Sequence, residues 1–244
     1  MDHRMEKELL SICENIYLWP HHPNPKRVEP SIGIVVGEQG TVLIDAGNSP
    51  AVARRLKEAM AARGLPDVSA IIYTHNHWDH VSGACAFNVP VTAHVLCRNT
   101  LLEEANKPWG PEYIHQEIIR TPRRRISLEA RERAISDWGA FRIIIPDEVF
   151  DTTKIIRLGN LTLELVHVGG AHSADSIIVK IPEARVLFLG DCYFPPPLHL
   201  RRRGETFSLS MLQAFAREPY QLYIDSHNDP FSKQDLLNLL KENA

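Results

Sequence analysis

Hydrophobic residues along the 244-residue chain fall into short apolar runs broken by turn residues, interleaved with stretches of helical spacing. Ile16-Tyr17-Leu18-Trp19 reads as a strand, and Pro20-His21-His22-Pro23-Asn24-Pro25 ends it as a loop or edge, because proline cannot donate to a strand ladder. Ile32 to Val36 and Thr41 to Ile44, joined by Gly37-Glu38-Gln39-Gly40, predict a β-hairpin. Asn48-Ser49-Pro50 has the capping residues and early proline of a helix start. Val52, Leu56, Ala59 and Met60 then recur at helical spacing, and Gly64 is a natural stop. Ala70-Ile71-Ile72-Tyr73 is a short buried strand, and Val91 to Val95 predicts another.

Residues 98–150 are the least regular part. Asn99 to Ala105 and the segment from Ser127 read as helical, and Pro108-Trp109-Gly110-Pro111 as a rigid turn. Val149 to Leu158 opens a second half with strands at Leu161 to Val168, Ile177 to Val179 and Val186 to Leu189. The last helix begins near Ser232 and carries Leu236, Leu239 and Leu240. Each half is thus strands followed by helix.

A chain of this length suits one large α/β domain or two small ones. The net charge of −3 implies no polyanionic partner, so nucleic acid is not expected. No apolar run has the length of a membrane span. The charged start, Met1 to Lys7, lacks an apolar signal region, which predicts a cytoplasmic protein. Cys13, Cys85, Cys97 and Cys192 form no C-x-x-C pair and read as reduced thiols.

The chemistry concentrates in Thr74-His75-Asn76-His77-Trp78-Asp79-His80, where three histidines and an aspartate fall within six residues. Packing does not call for such a density of imidazole. On an extended segment residues i and i+2 face the same side, so His75 and His77 project together as two ligands of one metal. Asp79 and His80 follow where the chain turns, placed to face a second metal. Imidazole and carboxylate suit zinc, and imidazole also suits iron.

This run resembles the H-x-H-x-D-H signature of the metallo-β-lactamase superfamily, and later landmarks extend the resemblance over most of the chain. It implies a four-layer αβ/βα sandwich, a fold of the mixed α/β class, as a single domain over residues 1–244, with a variable insertion near 98–150 that shapes the substrate entrance. It implies that His75, His77 and His172 hold a first metal, that Asp79, His80 and His227 hold a second, and that Asp191 bridges them. The resemblance also gives Asp45 the role of supporting the metal-binding loop, since a ligating histidine commonly donates its other N–H to such a group.

Two zinc ions are the cofactor so implied, with iron or manganese as substitutes. Paired metals about 3.5–4 Å apart can share a hydroxide and lower the pKa of water to near 7. The implied reaction is attack of that bridging hydroxide on the carbonyl of an ester, lactone, thioester or amide in a small-molecule substrate, with Asp79 and Asp191 as the catalytic carboxylates. The chain has no G-x-S-x-G elbow to suggest a serine hydrolase.

The full ligand set looks more like glyoxalase II and the lactonases than the best-known β-lactamases. However, His172-Ser173-Ala174-Asp175-Ser176 departs from the glyoxalase II pattern, and the long helical tail of that enzyme does not follow His227. The alternatives are β-lactamase-type amide hydrolysis and a phosphodiesterase or nuclease of the same superfamily. Tyr193, Trp109 and His21 are the candidate substrate contacts, with Tyr113, His115 and Trp138 as further wall residues. Arg123-Arg124-Arg125 reads as a solvated face, and Arg201 to Arg203 could meet a substrate carboxylate. Oligomeric state is left open by the sequence.

Overall fold

The computed structural model describes residues 8–243, so the charged segment Met1 to Lys7 lies outside the described residues. Thirteen strands form two sheets among the described residues. The first sheet takes β1 (Leu10–Cys13), β2 (Ile16–Trp19), β3 (Ile32–Gly37), β4 (Gly40–Ile44), β5 (Val68–Ile72), β6 (Val91–His94) and β7 (Glu148–Phe150) in chain order. Its first four strands pair antiparallel and its last four parallel. The second sheet takes β8 (Thr153–Arg157), β9 (Thr162–His167), β10 (Ile177–Ile181), β11 (Val186–Gly190), β12 (Leu222–Asp225) and β13 (Phe231–Ser232). There only β11 and β12 run parallel.

The two sheets pack face to face. Ile16, Leu18, Val35, Val42, Ile44 and Ile72 from the first meet Leu163, Leu165, Ile177, Val179, Phe188 and Ile224 from the second. Alternate residues point the other way, as the strand period requires. Ile34, Leu43 and Ile71 pack under α1 (Pro50–Ala62) with Val52, Leu56 and Met60. Ile178, Leu187 and Tyr223 pack under α6 (Leu209–Arg217) and α7 (Lys233–Glu242). Both faces of the central strands are therefore buried, which explains why they read as continuous apolar runs rather than alternating ones. The result is the helix–sheet–sheet–helix layering that the sequence predicts.

At Gly33 on β3 a Cβ would fall 2.6 Å from Cε1 of Phe188 on β11. The sheets touch there through a glycine because no side chain fits.

Ser49 caps α1, its Oγ accepting from the Val52 N–H at 3.3 Å, and Gly64 follows the helix with φ of +71°. Three details differ from the sequence reading. Val95 belongs not to β6 but to α3 (Val95–Ala105), because His94 Nδ1 accepts from the Leu96 N–H and caps a helix there. Val149 lies in β7, which pairs parallel to β6 in the first sheet, so the second sheet begins only at β8. Between β6 and β7 the two helices read from sequence, α3 and α5 (Arg125–Ala134), are joined by a third that was not, α4 (Pro111–Arg120). Pro111 is a first-turn residue of α4, not part of a rigid turn. The four-residue helix α2 (Trp78–Val81) completes the set.

No helix among the described residues is long and apolar enough to cross a membrane.

Candidate metal centre

The site lies at the loops that leave five strands. Asp45 ends β4, and Thr74 to His80 follow β5. His172 follows β9, Asp191 follows β11 and His227 follows β12. Gly190 adopts φ of +52°, where a Cβ would fall 2.9 Å from Thr74, so glycine lets Asp191 come up beside the histidine loop.

Seven side chains converge in three overlapping groups: His75, His77 and His172; His75, His80 and Asp191; and Asp79, His80 and His227. His77 Nδ1 stands 2.9 Å from His75 Nε2 and 3.0 Å from His172 Nε2. Asp191 Oδ2 lies 3.2 Å from Nε2 of both His172 and His227, and 3.5 Å from His80 Nε2. Asp79 Oδ2 is 3.5 Å from Nε2 of both His80 and His227. Asp191 thus touches both sets of imidazoles.

The outer partners fix the tautomers of three rings. His172 Nδ1 donates to the Pro195 carbonyl at 3.0 Å, so its Nε2 carries a lone pair inward. His80 Nδ1 donates to Asp45 Oδ2 at 2.8 Å, with the same result. Thr74 Oγ1 donates to Asp45 Oδ2, which leaves it to accept from His75 Nδ1 at 3.1 Å and again turns a lone pair inward. Lone pairs and carboxylate oxygens therefore face one another with few protons between them. His80 Nε2 and Asp191 Oδ1 are buried without any hydrogen-bond partner. Buried acceptors in this state are costly, and a cation that accepts several lone pairs satisfies all of them. The donor set of five imidazoles and two carboxylates suits zinc, and also iron or manganese.

Electrostatics follow the same division. Burial, reinforced by His80 and His77, holds the His75 pKa well below the usual histidine range. Burial, then His172, pulls His77 down to about 3. Both rings are therefore neutral at pH 7 and ready to ligate. Burial alone would lower His80, but Asp79, Asp45 and Asp191 raise it well above its ordinary value, so the carboxylates around its ring favour a positive charge there, which a bound metal ion would supply in place of a proton. Burial would raise Asp191, but His227 and His80 hold it well below the carboxylate range.

Asp45 stands where the sequence reading places it, accepting from His80, from Thr74 Oγ1 and from the Thr74 N–H at 2.7 Å. Two similar supports are not evident from sequence. Asp225 accepts from the His227 N–H at 2.9 Å, the Asn228 N–H at 2.8 Å and Asn228 Nδ2 at 2.9 Å, and so shapes the loop that presents His227. Asn76 Nδ2 donates to Ser173 Oγ at 3.0 Å and Asp175 Oδ1 at 2.8 Å, tying the loop of His75 and His77 to that of His172. Asp225 ends an apolar strand just before a ligand loop, as Asp45 does, but an ordinary turn aspartate does the same.

A cavity of about 530 Å³ opens onto His77, Asp79, His172, Asp191 and His227. Its other walls include Val28, Leu101, Arg124, Ser127, Arg131, Ile143, Phe194 and the 197–201 loop.

None of the three candidate substrate contacts lines it. The Tyr193 hydroxyl donates to Asp225 Oδ2, so it supports the His227 loop rather than a substrate. Trp109 Nε1 donates to the Glu104 carbonyl, and the Arg131 guanidinium covers the indole ring at 3.6 Å. His21 Nδ1 sits 3.9 Å from Asp229, and the neighbouring loop instead contributes Val28 to the lining. Tyr113 packs edge-on against Trp109, Trp138 packs against Phe141, and His115 is an exposed partner of Glu132.

The basic run also needs revision. Arg124 lines the cavity instead of a solvated face, as does Arg201. His94, outside the ligand pattern, stacks on His167 with ring centroids 3.7 Å apart and donates to the Asp151 carbonyl. All four cysteines are unpaired, and burial pushes the Cys192 thiol pKa up, leaving it inert.

Known proteins carry the same architecture. A linear primary-alkylsulfatase of Pseudomonas sp. is 22% identical over 226 residues, covering 83% of this chain and 42% of the relative. The solved structure of a stereoselective inverting sec-alkylsulfatase from Pseudomonas sp. superposes with a TM-score of 0.63 at 18% identity, over 97% of this chain and 40% of the other. A metallo-β-lactamase from Pontibacter korlensis superposes with a TM-score of 0.62 at 20% identity, over 96% of this chain and 97% of the other. The chain thus spans about two fifths of the length of the alkylsulfatases it matches. The family model described as the metallo-beta-lactamase superfamily matches residues 26–233. That match covers most of the chain, and the protein belongs to the metallo-β-lactamase superfamily.

Proposed function

We propose that this protein is a metal-dependent hydrolase with a dinuclear centre, acting on a small molecule. The observation that carries the reading is the inward convergence of seven donor side chains, with buried His80 Nε2 and Asp191 Oδ1 lacking any other partner. His75, His77 and His172 would hold one metal, and Asp79, His80 and His227 the other, with Asp191 between them. Zinc bound there would supply Lewis-acid polarisation of a substrate oxygen and a water acidic enough to act as nucleophile near neutral pH. Asp45 holds the His80 ring with Nε2 inward, and the Pro195 carbonyl does the same for His172. Asp79 lines the cavity, and in this reading its carboxylate would take a proton during attack. Val28, Leu101, Ile143 and Phe194 give the cavity an apolar wall that limits water around the reacting group.

The substrate class we propose is a carbonyl compound: an ester, lactone, thioester or amide, including a β-lactam. A sulfate ester is the second reading, favoured by the likeness to the two alkylsulfatases. Neither requires nucleic acid or membrane, and we place the protein in the cytoplasm as one domain.

The test is metal analysis of the purified protein paired with a hydrolysis panel of a simple ester, a lactone, a thioester, a β-lactam, an alkyl sulfate and a phosphodiester. Near two metals per chain with carbonyl turnover is expected. Turnover of the alkyl sulfate alone would favour the second reading, and of the phosphodiester alone a nuclease. His77→Ala should lose metal and turnover together. Full activity in that variant, or no metal after reconstitution, would sink the assignment.

A further inference from the structure

Arg131, on α5, is only 4% exposed, yet among the described residues its side chain forms no hydrogen bond and no ion pair. Its Nε is fully buried without a partner. The Glu104 and Asp79 carboxylates, both in the wall of the same cavity, attract its charge without hydrogen-bonding to it, and Glu104 is itself paired with Lys107. What Arg131 does have is Trp109, whose ring lies 3.6 Å from the guanidinium carbon, and Phe141 at 5.6 Å. The indole ring backs the guanidinium and Nε is closed off, whereas the two terminal nitrogens are not among the fully buried atoms and are the fork left for bidentate capture of an oxyanion. Burial pulls the Arg131 pKa down to about 9, as befits a cation whose desolvation its neighbours do not offset.

A buried cation with no hydrogen-bonded counterion is costly to the fold. Such a group is understandable in a cavity wall if a ligand supplies the counter-charge. Arg131 lines the same cavity as the metal-site residues. So do Ser127 and Arg124, at i−4 and i−7, the spacing of one helical face. Ser127 Oγ accepts from Trp78 Nε1 at 3.2 Å, which leaves its own hydroxyl proton to give. Arg124 reaches Glu117 only at 3.6 Å and is the second cation on that face.

We propose that Arg131, assisted by Ser127 and Arg124, forms an oxyanion-binding subsite, so that the substrate carries an anionic carboxylate, sulfate or phosphate group. This deepens the hydrolase reading and rests on it for the word substrate, but the binding itself does not.

Two measurements on the metal-loaded protein test it, with metal content determined for every sample. The first is calorimetric titration with sodium sulfate, phosphate and succinate of the wild type and of Arg131→Gln. Wild type should bind at least one of them, and R131Q should bind it at least tenfold more weakly at equal metal content. No binding by wild type, or equal binding by both, overturns the subsite. The second compares kcat/KM for a p-nitrophenyl alkanoate with that for the matched ester bearing a terminal carboxylate. The preference for the charged ester should fall at least tenfold in R131Q, and an unchanged preference overturns the proposal. If neither ester is turned over, the hydrolase reading suffers while the titration still decides the subsite. Should R131Q not fold, Arg131→Lys, which keeps the charge but loses the fork, and Arg124→Gln are read in the same way. Both should weaken anion binding, and unaltered affinity in the two together would overturn the proposal.

Discussion

Asp45 and Asp225 do the same work on the two halves of the site, each ending a buried strand and gathering donors from the loop that follows or lies beside it. Asp45 adopts φ of +66°, a conformation that aspartate tolerates and that its three donors hold in place. Asp45→Ala frees the His80 ring to rotate and releases Thr74. Loss of such an outer partner typically costs roughly 10–100-fold in metal affinity or activity. The second metal should therefore be lost first, and titrating metal back into the variant should show weaker binding at one of two sites. Asp225→Ala should act on His227 in the same direction. Retention of two tightly bound metals by both variants would contradict their supporting role. Sequence density made the donor cluster legible, and Asp45 followed from the resemblance. Asp225, Asn76 and Asp175 were not legible, because a strand-end aspartate looks like an ordinary turn residue. Asn76 and Asp175 are 99 positions apart, and only the folded loops bring them together.

At the scale of elements, the strands that are buried on both faces and the capped helix α1 are readable from sequence, since apolar runs and a Ser–Pro start are local signals. What escaped is governed by pairing. The three-residue strand β7 exists because Thr92 and its neighbours in β6 accept it in parallel register. Helix α3 starts where His94 caps it, although Val95-Leu96-Cys97 continues the apolar run. Helix α4 hides behind a proline that opens a helical turn rather than breaking it, whereas α5 is readable from Ser127 onward. What α5 does not announce locally is that it buries Arg131 against the cavity, which only the packing of the fold decides. A direct check on the local part of the logic is Ser49→Ala. It removes the acceptor for the Val52 N–H and should lower stability by about 1 kcal/mol. Urea unfolding monitored by circular dichroism should show a lower midpoint with an unchanged slope.

For the whole molecule, the centre lies at the seam between the sheets. The first supplies His75, His77, Asp79 and His80, and the second His172, Asp191 and His227. The backbone crosses the same seam: the Ile177 N–H donates to the Thr74 carbonyl at 2.9 Å, and the Ser31 N–H to the Ser226 carbonyl at 2.7 Å. A metal held there joins the two halves, so it should stabilise the fold as well as the reaction. At free metal 100 times its Kd the gain is about 2.7 kcal/mol. For a chain of this size that corresponds to roughly 5–10 °C in Tm, lost on chelation. The seam also makes metal affinity depend on sheet packing. Gly33, Phe188, Asp45, Thr74, Gly190 and Asp225 border one small space beneath the site. Gly33→Ala puts a methyl against the Phe188 ring and should cost about 1–3 kcal/mol as overpacking. By moving β3 and β11 apart it should also weaken metal binding, so that chelation lowers Tm less in the variant than in the wild type. Leu212→Ala, on the buried face of α6 in the outer layer, should destabilise by about 2–5 kcal/mol yet keep its metal. Equal chelation shifts in Gly33→Ala and wild type would show that the sheets and the centre are energetically independent.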